Sequence, residues 1–420
     1  MYALIDASGM YASCEKIFDP TIRKRPVVVL SNNDGCIVAT CPIAKKMGVP
    51  KFGPYFKIKD QLDRAGVVAR SSNYELYADI SSRMMELCAS FAPEQHIYSI
   101  DECFLRFDHY IPPEGWHELG MKIRRKVWKE VRLPVGVGFG PTPTLAKAAN
   151  HASKKLPGFS GVAVIDNDQI RKQILQQMEI RDVWGVGRRI GERLNLLGVK
   201  TAWQLAQTKP ALMKKHFSIL IANTAEELNG LTRVSWDDVR SPKKQIYSTR
   251  SFGQRITGLT DLKQALATHA TIAAQKLRAQ ESATSNIIVF AHNSIHDKES
   301  FFKRSAFHQF ATPTCDTAVI VKVTSQLAEQ IYQAGIRYYK AGIGLLEIST
   351  ATPYQPDIFT PSADQPELMK CLDQINSKYG RDTLHLARQG IQQNFKMKRE
   401  LLSPRYTTRI EDIPIIRCSE

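Results

Sequence analysis

No run of about eighteen uncharged apolar residues occurs in the 420-residue chain, which excludes an ordinary membrane-spanning helix. The start, Met1 to Asp6, has no basic stretch leading into an apolar one, so no signal peptide is expected. Cysteine is sparse and scattered: eight residues, never paired as CxxC. That argues against a zinc site or a disulfide framework and for reduced thiols in a cytoplasmic setting. A dinucleotide loop is missing too, since Gly136-Val-Gly-Phe-Gly140 is not followed by the spacing of GxGxxG and reads as a strand passing close to a helix. Short tandem repeats are absent, and acidic residues are in deficit, 41 against 57 Lys and Arg.

That deficit leaves a formal net charge of +16, a field that attracts polyanions, nucleic acid foremost. The basic clusters are spread along the chain: Arg23 to Arg25, Lys122 to Lys129, Arg188-Arg189, Lys243-Lys244 and Lys396 to Arg399. Such a distribution predicts a long contact surface in place of one basic tail.

Through residue 165, strands and helices intermingle. Tyr2–Asp6 and Pro26–Leu30 read as strands, 74–91 as an amphipathic helix, and His96–Phe107 as an extended segment. Val135–Phe139 is a strand, Leu145–Lys155 a helix and Gly161–Ile165 a strand, a layered domain with one mixed sheet. Residues 166–235 read as helical throughout, and 239–245 as a polar linker. Beyond it, strand 245–252, helix 261–279, strands 285–291 and 318–323, helix 325–334 and strand 340–348 give a βαββαβ order. From Ser349 the chain is rich in Pro, Asp, Gln and Ser, and loose contact with the preceding domain is expected.

Three carboxylates carry the chemistry. Asp6 ends the first strand, and Asp101-Glu102 lie within Tyr98-Ser-Ile-Asp-Glu-Cys-Phe104. Carboxylates inside apolar strands are costly unless compensated. Two divalent cations would relieve their repulsion and suit in-line phosphoryl displacement, and an all-oxygen donor set selects magnesium or manganese over zinc. Neighbouring strand residues point to opposite faces, so Asp101 and Glu102 can share one site only at a bulge or a strand end. A solvent-facing acidic pair at a hairpin is the other reading of the same residues.

Asp6 with Met10 to Glu15, Ser31 to Gly35, Ser72 to Tyr77 and Tyr98 to Glu102, in this order, resembles the Y-family DNA polymerases. Within them the likeness is to the UmuC type, catalytic subunits of bacterial DNA polymerase V, and it extends to Leu401–Arg409. What the resemblance implies is an α+β right-hand polymerase with a ferredoxin-like palm (1–10 and 75–165), small fingers (11–74) and a helical thumb with a helix-hairpin-helix (166–238). A linker (239–246), a βαββαβ little finger (247–349) and a tail (350–420) complete it. It further implies that Asp6, Asp101 and Glu102, helped by the carbonyl of Ala7, bind two Mg2+ ions, with Mn2+ an alternative. Tyr11 then corresponds to the ring that collides with a ribose 2′-hydroxyl, and Lys147 to the lysine reaching the triphosphate. Lys45 stands where an arginine is usual, Pro42 where a tyrosine is, and Ala-Ser-Gly-Met10 departs from the common pattern.

For DNA, Gly185-Val-Gly187 has the form of a helix-hairpin-helix turn whose backbone N–H groups face a phosphate, with Arg188 and Arg189 alongside. Lys243, Lys244 and Arg250 add sequence-indifferent phosphate contacts. Gln355, Ile358 and Phe359 resemble a sliding-clamp peptide, and the family implies a processed UmuD-type dimer and RecA as further partners. Expected activity is therefore deoxynucleotide transfer to a primer 3′-hydroxyl during error-prone translesion synthesis and SOS mutagenesis. Another two-metal phosphoryl-transfer enzyme on a similar palm, or a non-catalytic DNA-binding scaffold, remains as the alternative.

Overall fold

A computed structural model describes residues 1–235, 242–297, 299–350, 364–380, 382–391, 397–413 and 415. The chain forms two compact units, one of residues 1–240 with 400–420 and the other of 241–399. No described helix is long and apolar enough to cross a membrane, and the seven described cysteines are free thiols.

The first unit is built on a five-stranded sheet with Tyr2–Ala7 at its centre. Antiparallel neighbours Glu102–Arg106 and Val135–Gly140 flank it, and Glu94–Ile97 and Val162–Val164 form the edges. The segment read as one extended stretch, 96–107, is thus two strands. Tyr98 and Ser99 donate their N–H groups to the Glu102 carbonyl and reverse the chain between them. A separate three-stranded sheet, in the order Ile37–Thr40, Val27–Leu30, Val68–Ser71, lies within the segment expected to be fingers.

Two glycines let the helix Pro143–Lys155 lie on the central sheet. A Cβ on Gly138 would stand 2.0 Å from the Asn150 nitrogen, and one on Gly140 2.7 Å from that of Ala146. Only a bare backbone permits that approach. Asn150 then donates its amide to the carbonyls of Leu4 and Gly136, at 3.1 and 2.8 Å, fixing the helix against the strands.

Five helices follow between Asp168 and Glu227. The last, Ile219–Glu227, ends in a fully buried carboxylate. One Glu227 oxygen accepts from the Thr144 N–H (3.1 Å) and hydroxyl (2.7 Å), the other from the N–H groups of Arg233 and Val234, both 2.8 Å. A negative charge at the N-terminus of helix 143–155 also complements the helix dipole. Glu227→Ala would orphan those donors and is expected to cost about 3 kcal/mol, read as a lower denaturant midpoint.

The second unit has the βαββαβ order. Its antiparallel sheet runs Lys303–Thr314, Ser282–His292, Tyr338–Thr350, Ile246–Ile256, with helices Leu259–Arg278 and Thr317–Ile331 packed on it. One strand differs from expectation: Ala318–Val323 begins a helix, and the third strand is Lys303–Thr314. The β-branched run suggested extension, yet Asp316 caps the N–H groups of Ala318 and Val319, and Ile320, Val321, Thr324 and Leu327 share the buried face. The true third strand is an edge, largely exposed, with a weak alternating pattern. Among the described residues past 349, one helix is docked where the composition suggested loose contact. Helix Pro366–Tyr379 packs on this unit through Met369, Leu372 and an Arg278–Asp373 pair at 2.7 Å.

Candidate active site

Asp6 and Glu102 are direct cross-strand partners at the ends of the two central strands. Asp101 lies one residue before its strand begins, where the Ala7 N–H donates to its carbonyl at 2.8 Å. Asp101 thus sits at a strand end, one of the two geometries the sequence demands, next to the Asp6–Glu102 pair. The Ser99 hydroxyl donates to Asp101 and orients that side chain.

Two lysines from helix 143–155 reach this acidic row. Lys154 Nζ lies 2.5 Å from an Asp6 oxygen, and Lys147 donates to Glu102 at 2.9 Å. Gly136, opposite Asp6, makes the first contact possible, because a Cβ there would meet Lys154 Cε at 2.5 Å. Lys147 is held among aromatic faces, its ammonium 4.3 Å from the Tyr98 ring centre and 5.0 Å from that of Trp184. Burial pushes the carboxyls of Asp6 and Glu102 above the ordinary range, as does mutual repulsion with Asp101. Lys154 and Lys147 respectively pull them back. Among the described residues no three such groups stand at ready metal-binding spacing, and the lysines engage two of the carboxylates. The donors themselves, three carboxylates beside the Ala7 carbonyl, are hard oxygen ligands and fit a hard divalent cation.

The acidic row separates two cavities. The larger, about 730 Å³, is lined by Asp6, Ala7, Tyr11, Thr40, Lys45, Asp101 and Lys154. The smaller, about 310 Å³, takes Asp6, Glu102, Lys147, Lys154 and Trp184. Lys147 thus stands on the Glu102 side, away from Tyr11 and Lys45. Two residues of the larger cavity were missed by sequence reading. Lys154 is seven positions, two helical turns, beyond Lys147, so helix periodicity puts both on one face and was the available signal. Thr40 is 4% exposed, and its hydroxyl has no hydrogen-bond partner among the described residues. No local pattern marked it.

Tyr11 is the second residue of the helix Met10–Phe18, and the unusual Ala-Ser-Gly-Met segment explains its position. Gly9 has φ 59°, and a Cβ there would meet the Thr40 carbonyl at 2.8 Å. The half-buried Tyr11 ring is stacked on Tyr77, centroids 4.6 Å apart, with Tyr74 edge-on at 6.0 Å.

Elsewhere in the first unit, Gly185 adopts φ 84°, and helix Arg188–Leu196 starts after Gly187 without a side-chain cap. Arg188 and Arg189 are exposed there, and the element before the turn is a single 3-10 turn, Ile180–Asp182. In the second unit Lys243, Lys244 and Arg250 are exposed at or near the strand Ile246–Ile256. Gln355, Ile358 and Phe359 fall outside the described residues.

A palm-like sheet with paired carboxylates at one end, a helical segment with an uncapped glycine turn and a separate βαββαβ unit define the class of Y-family DNA polymerases. Solved structures share the fold. A chimera of the Y-family polymerases Dbh and Dpo4 superposes with TM-score 0.64 at 21% identity, covering 83% of this chain and 98% of that one. An insertion ternary complex of Dbh gives 0.52 at 20%, with the same coverage. Residues 5–151 match the impB/mucB/samB family, 243–358 its C-terminal domain, and 366–416 a domain of unknown function, DUF4113. UmuC of Salmonella typhimurium is 41% identical over 98% of this chain and 99% of its own length, and SamB of the same organism 39% over 99% of each. The chain belongs to the impB/mucB/samB family, the UmuC type of Y-family DNA polymerase. It is a DNA-directed DNA polymerase of error-prone translesion synthesis in SOS mutagenesis.

Proposed function

We propose that Asp6, Asp101, Glu102 and the Ala7 carbonyl hold two magnesium ions, manganese being able to substitute. The observation that carries this is the direct pairing of Asp6 with Glu102 beside the Asp101 strand end. When bound, such ions polarise an attacking hydroxyl and stabilise a leaving oxygen. The primer 3′-hydroxyl attacks the α-phosphate of a deoxynucleoside triphosphate, forming the new P–O bond as pyrophosphate departs.

The chain's own groups divide this work by cavity. In the larger one Lys154 and Lys45 face the triphosphate, with Thr40 in the wall, and the Tyr11 ring lies under the sugar. Lys147 favours the charged form of Glu102 on the side of the primer end. Lys154→Ala is expected to raise KM for the incoming nucleotide about tenfold, the loss of one charge-assisted contact. Lys147→Ala should lower kcat with KM within about twofold, since its role is ground-state-neutral toward the nucleotide. Steady-state single-nucleotide insertion separates them, and the reverse pattern would return the triphosphate role to Lys147.

The same reading assigns the first unit's 1–10 and 75–165 to palm, 11–74 to fingers and 166–238 to thumb, and 247–349 of the second to little finger. Gly185, Gly187, Arg188, Arg189, Lys243, Lys244 and Arg250 contact phosphates. A processed UmuD-type dimer, RecA and, through Gln355, Ile358 and Phe359, a sliding clamp are the partners, in the cytoplasm. Primer extension with four deoxynucleotides across an abasic template, with and without those proteins, tests the whole. Shortening of the labelled primer would instead identify a nuclease.

A further inference from the structure

The C-terminal segment returns to the first unit and lies behind the tyrosine layer that flanks the nucleotide cavity. Leu401 and Ser71 are joined twice: the Ser71 N–H donates to the Leu401 carbonyl and the Leu401 N–H to the Ser71 hydroxyl, both at 3.0 Å. Two residues on, Ser403 is 4% exposed and Asn73 fully buried. The Asn73 amide nitrogen donates to the Ser403 carbonyl (3.2 Å), the Ser403 hydroxyl (3.0 Å) and the Pro404 carbonyl (3.2 Å). Its oxygen meanwhile caps the helix Tyr74–Ala89 at Leu76 N–H. Tyr406 then stacks on Phe18, centroids 4.9 Å apart, at the far end of the helix that begins with Met10 and Tyr11.

What the segment covers is a buried acid that the polymerase reaction does not use. Glu15 is 1% exposed and accepts the Tyr77 hydroxyl at 2.5 Å. Tyr77 is the ring on which Tyr11 stacks. Burial pushes the Glu15 carboxyl above its ordinary range, while the Tyr77 and Ser403 hydroxyls and nearby Arg70 favour its charged form. A continuous path of contacts therefore runs from Ser403 through Asn73, which caps the helix that carries Tyr77, to Tyr77 and Tyr11.

We propose that residues 401–406 are a specificity-determining brace: by holding Asn73 and Phe18 from behind, they fix the plane of Tyr77 and hence of Tyr11, so that choice between deoxy- and ribonucleotides depends on the C-terminal segment. This gives a role to part of DUF4113 and rests on the reading of Tyr11 as the ring under the sugar. Ser403 and Tyr406 are positioning residues, since neither faces the cavity. A ring free to tilt excludes a 2′-hydroxyl less sharply but still supports the deoxy sugar, so the effect falls on discrimination before it falls on rate.

The experiment measures kcat/KM for one deoxynucleotide and its ribonucleotide in the full-length wild type, Ser403→Ala, Tyr406→Ala, Tyr77→Phe and Tyr11→Ala, and in Ser403→Ala/Tyr11→Ala. Each single brace variant, and Tyr77→Phe, is expected to lower deoxy-over-ribo discrimination about fivefold to tenfold, with deoxynucleotide insertion within about threefold. In the Tyr11→Ala background, Ser403→Ala should change discrimination no further, because the braced ring is gone. A purely structural contact would depress both substrates equally and would do so again in the double variant. If Tyr11→Ala lowers discrimination and the brace variants leave it unchanged, the brace is wrong and Tyr11 still lies under the sugar. If Tyr11→Ala itself changes nothing, Tyr11 does not lie under the sugar. Should Ser403→Ala not fold, Tyr406→Ala, at a half-buried stack, carries the same comparison.

Discussion

Replacing Asp101 with asparagine is expected to cut the rate of primer extension by about a thousandfold or more, with DNA affinity unchanged or slightly higher. The substitution keeps the shape of the side chain and an oxygen to accept the Ser99 hydroxyl, and the Asp101 carbonyl still takes the Ala7 N–H. Only the charge is lost. Cation stabilisation of a transferring phosphoryl group is worth several kcal/mol, and about 4 kcal/mol is a factor of roughly a thousand in rate. Removing an anion beside a polyanion has the opposite sign for DNA binding, so anisotropy with a labelled primer-template should show no weakening. Extension at near wild-type rate would remove Asp101 from the metal site. Binding without extension in the wild type as well would leave the chain a DNA-binding scaffold.

Tyr11→Ala is expected to open the site to ribonucleotides, raising their kcat/KM by up to about a hundredfold while deoxynucleotide insertion falls only severalfold. Tyr11 lines the larger cavity and is held flat by Tyr77 and edge-on by Tyr74, so it has little freedom to yield to an extra oxygen. Forcing surplus atoms into a packed site costs about 1–3 kcal/mol, and the upper end corresponds to roughly a hundredfold. The 2′-hydroxyl is the atom at issue, because it alone separates the two sugars. Single-nucleotide insertion with matched deoxy- and ribonucleotides reads the ratio. Unchanged discrimination would place the sugar elsewhere in the cavity.

Much of the architecture was legible because its signals are local. The apolar run Tyr2–Ile5 ending in Asp6, the period of residues 74–91 and the glycines of 136–140 each carry their consequence in a few adjacent residues. Where two local signals competed, reading failed: Ala318–Val323 has the side chains of a strand, and the Asp316 cap with a core-facing period made it a helix. Lys154 went unread because Lys147, in a more familiar setting two turns earlier, drew the assignment. Nothing local says which of two lysines on one face points into which cavity. The residues after Ser349 misled by composition. Their polar character hid a helix docked by Met369 and Leu372, and a segment whose few apolar groups are spent on distant partners such as Phe18.

Sequence alone determined that the chain carries three separated carboxylates, an excess of positive charge and the ordered motifs of a Y-family polymerase, because these are properties of residue type and order. Tertiary structure alone decided that Asp101 sits at a strand end opposite Ala7, that Lys154 and Thr40 share the cavity with Tyr11, and that Ser403 meets Asn73. Each of those is a distance between groups remote in the chain, set by strand register, by glycines that admit a helix and by which buried polar atoms find partners. No local pattern contains them.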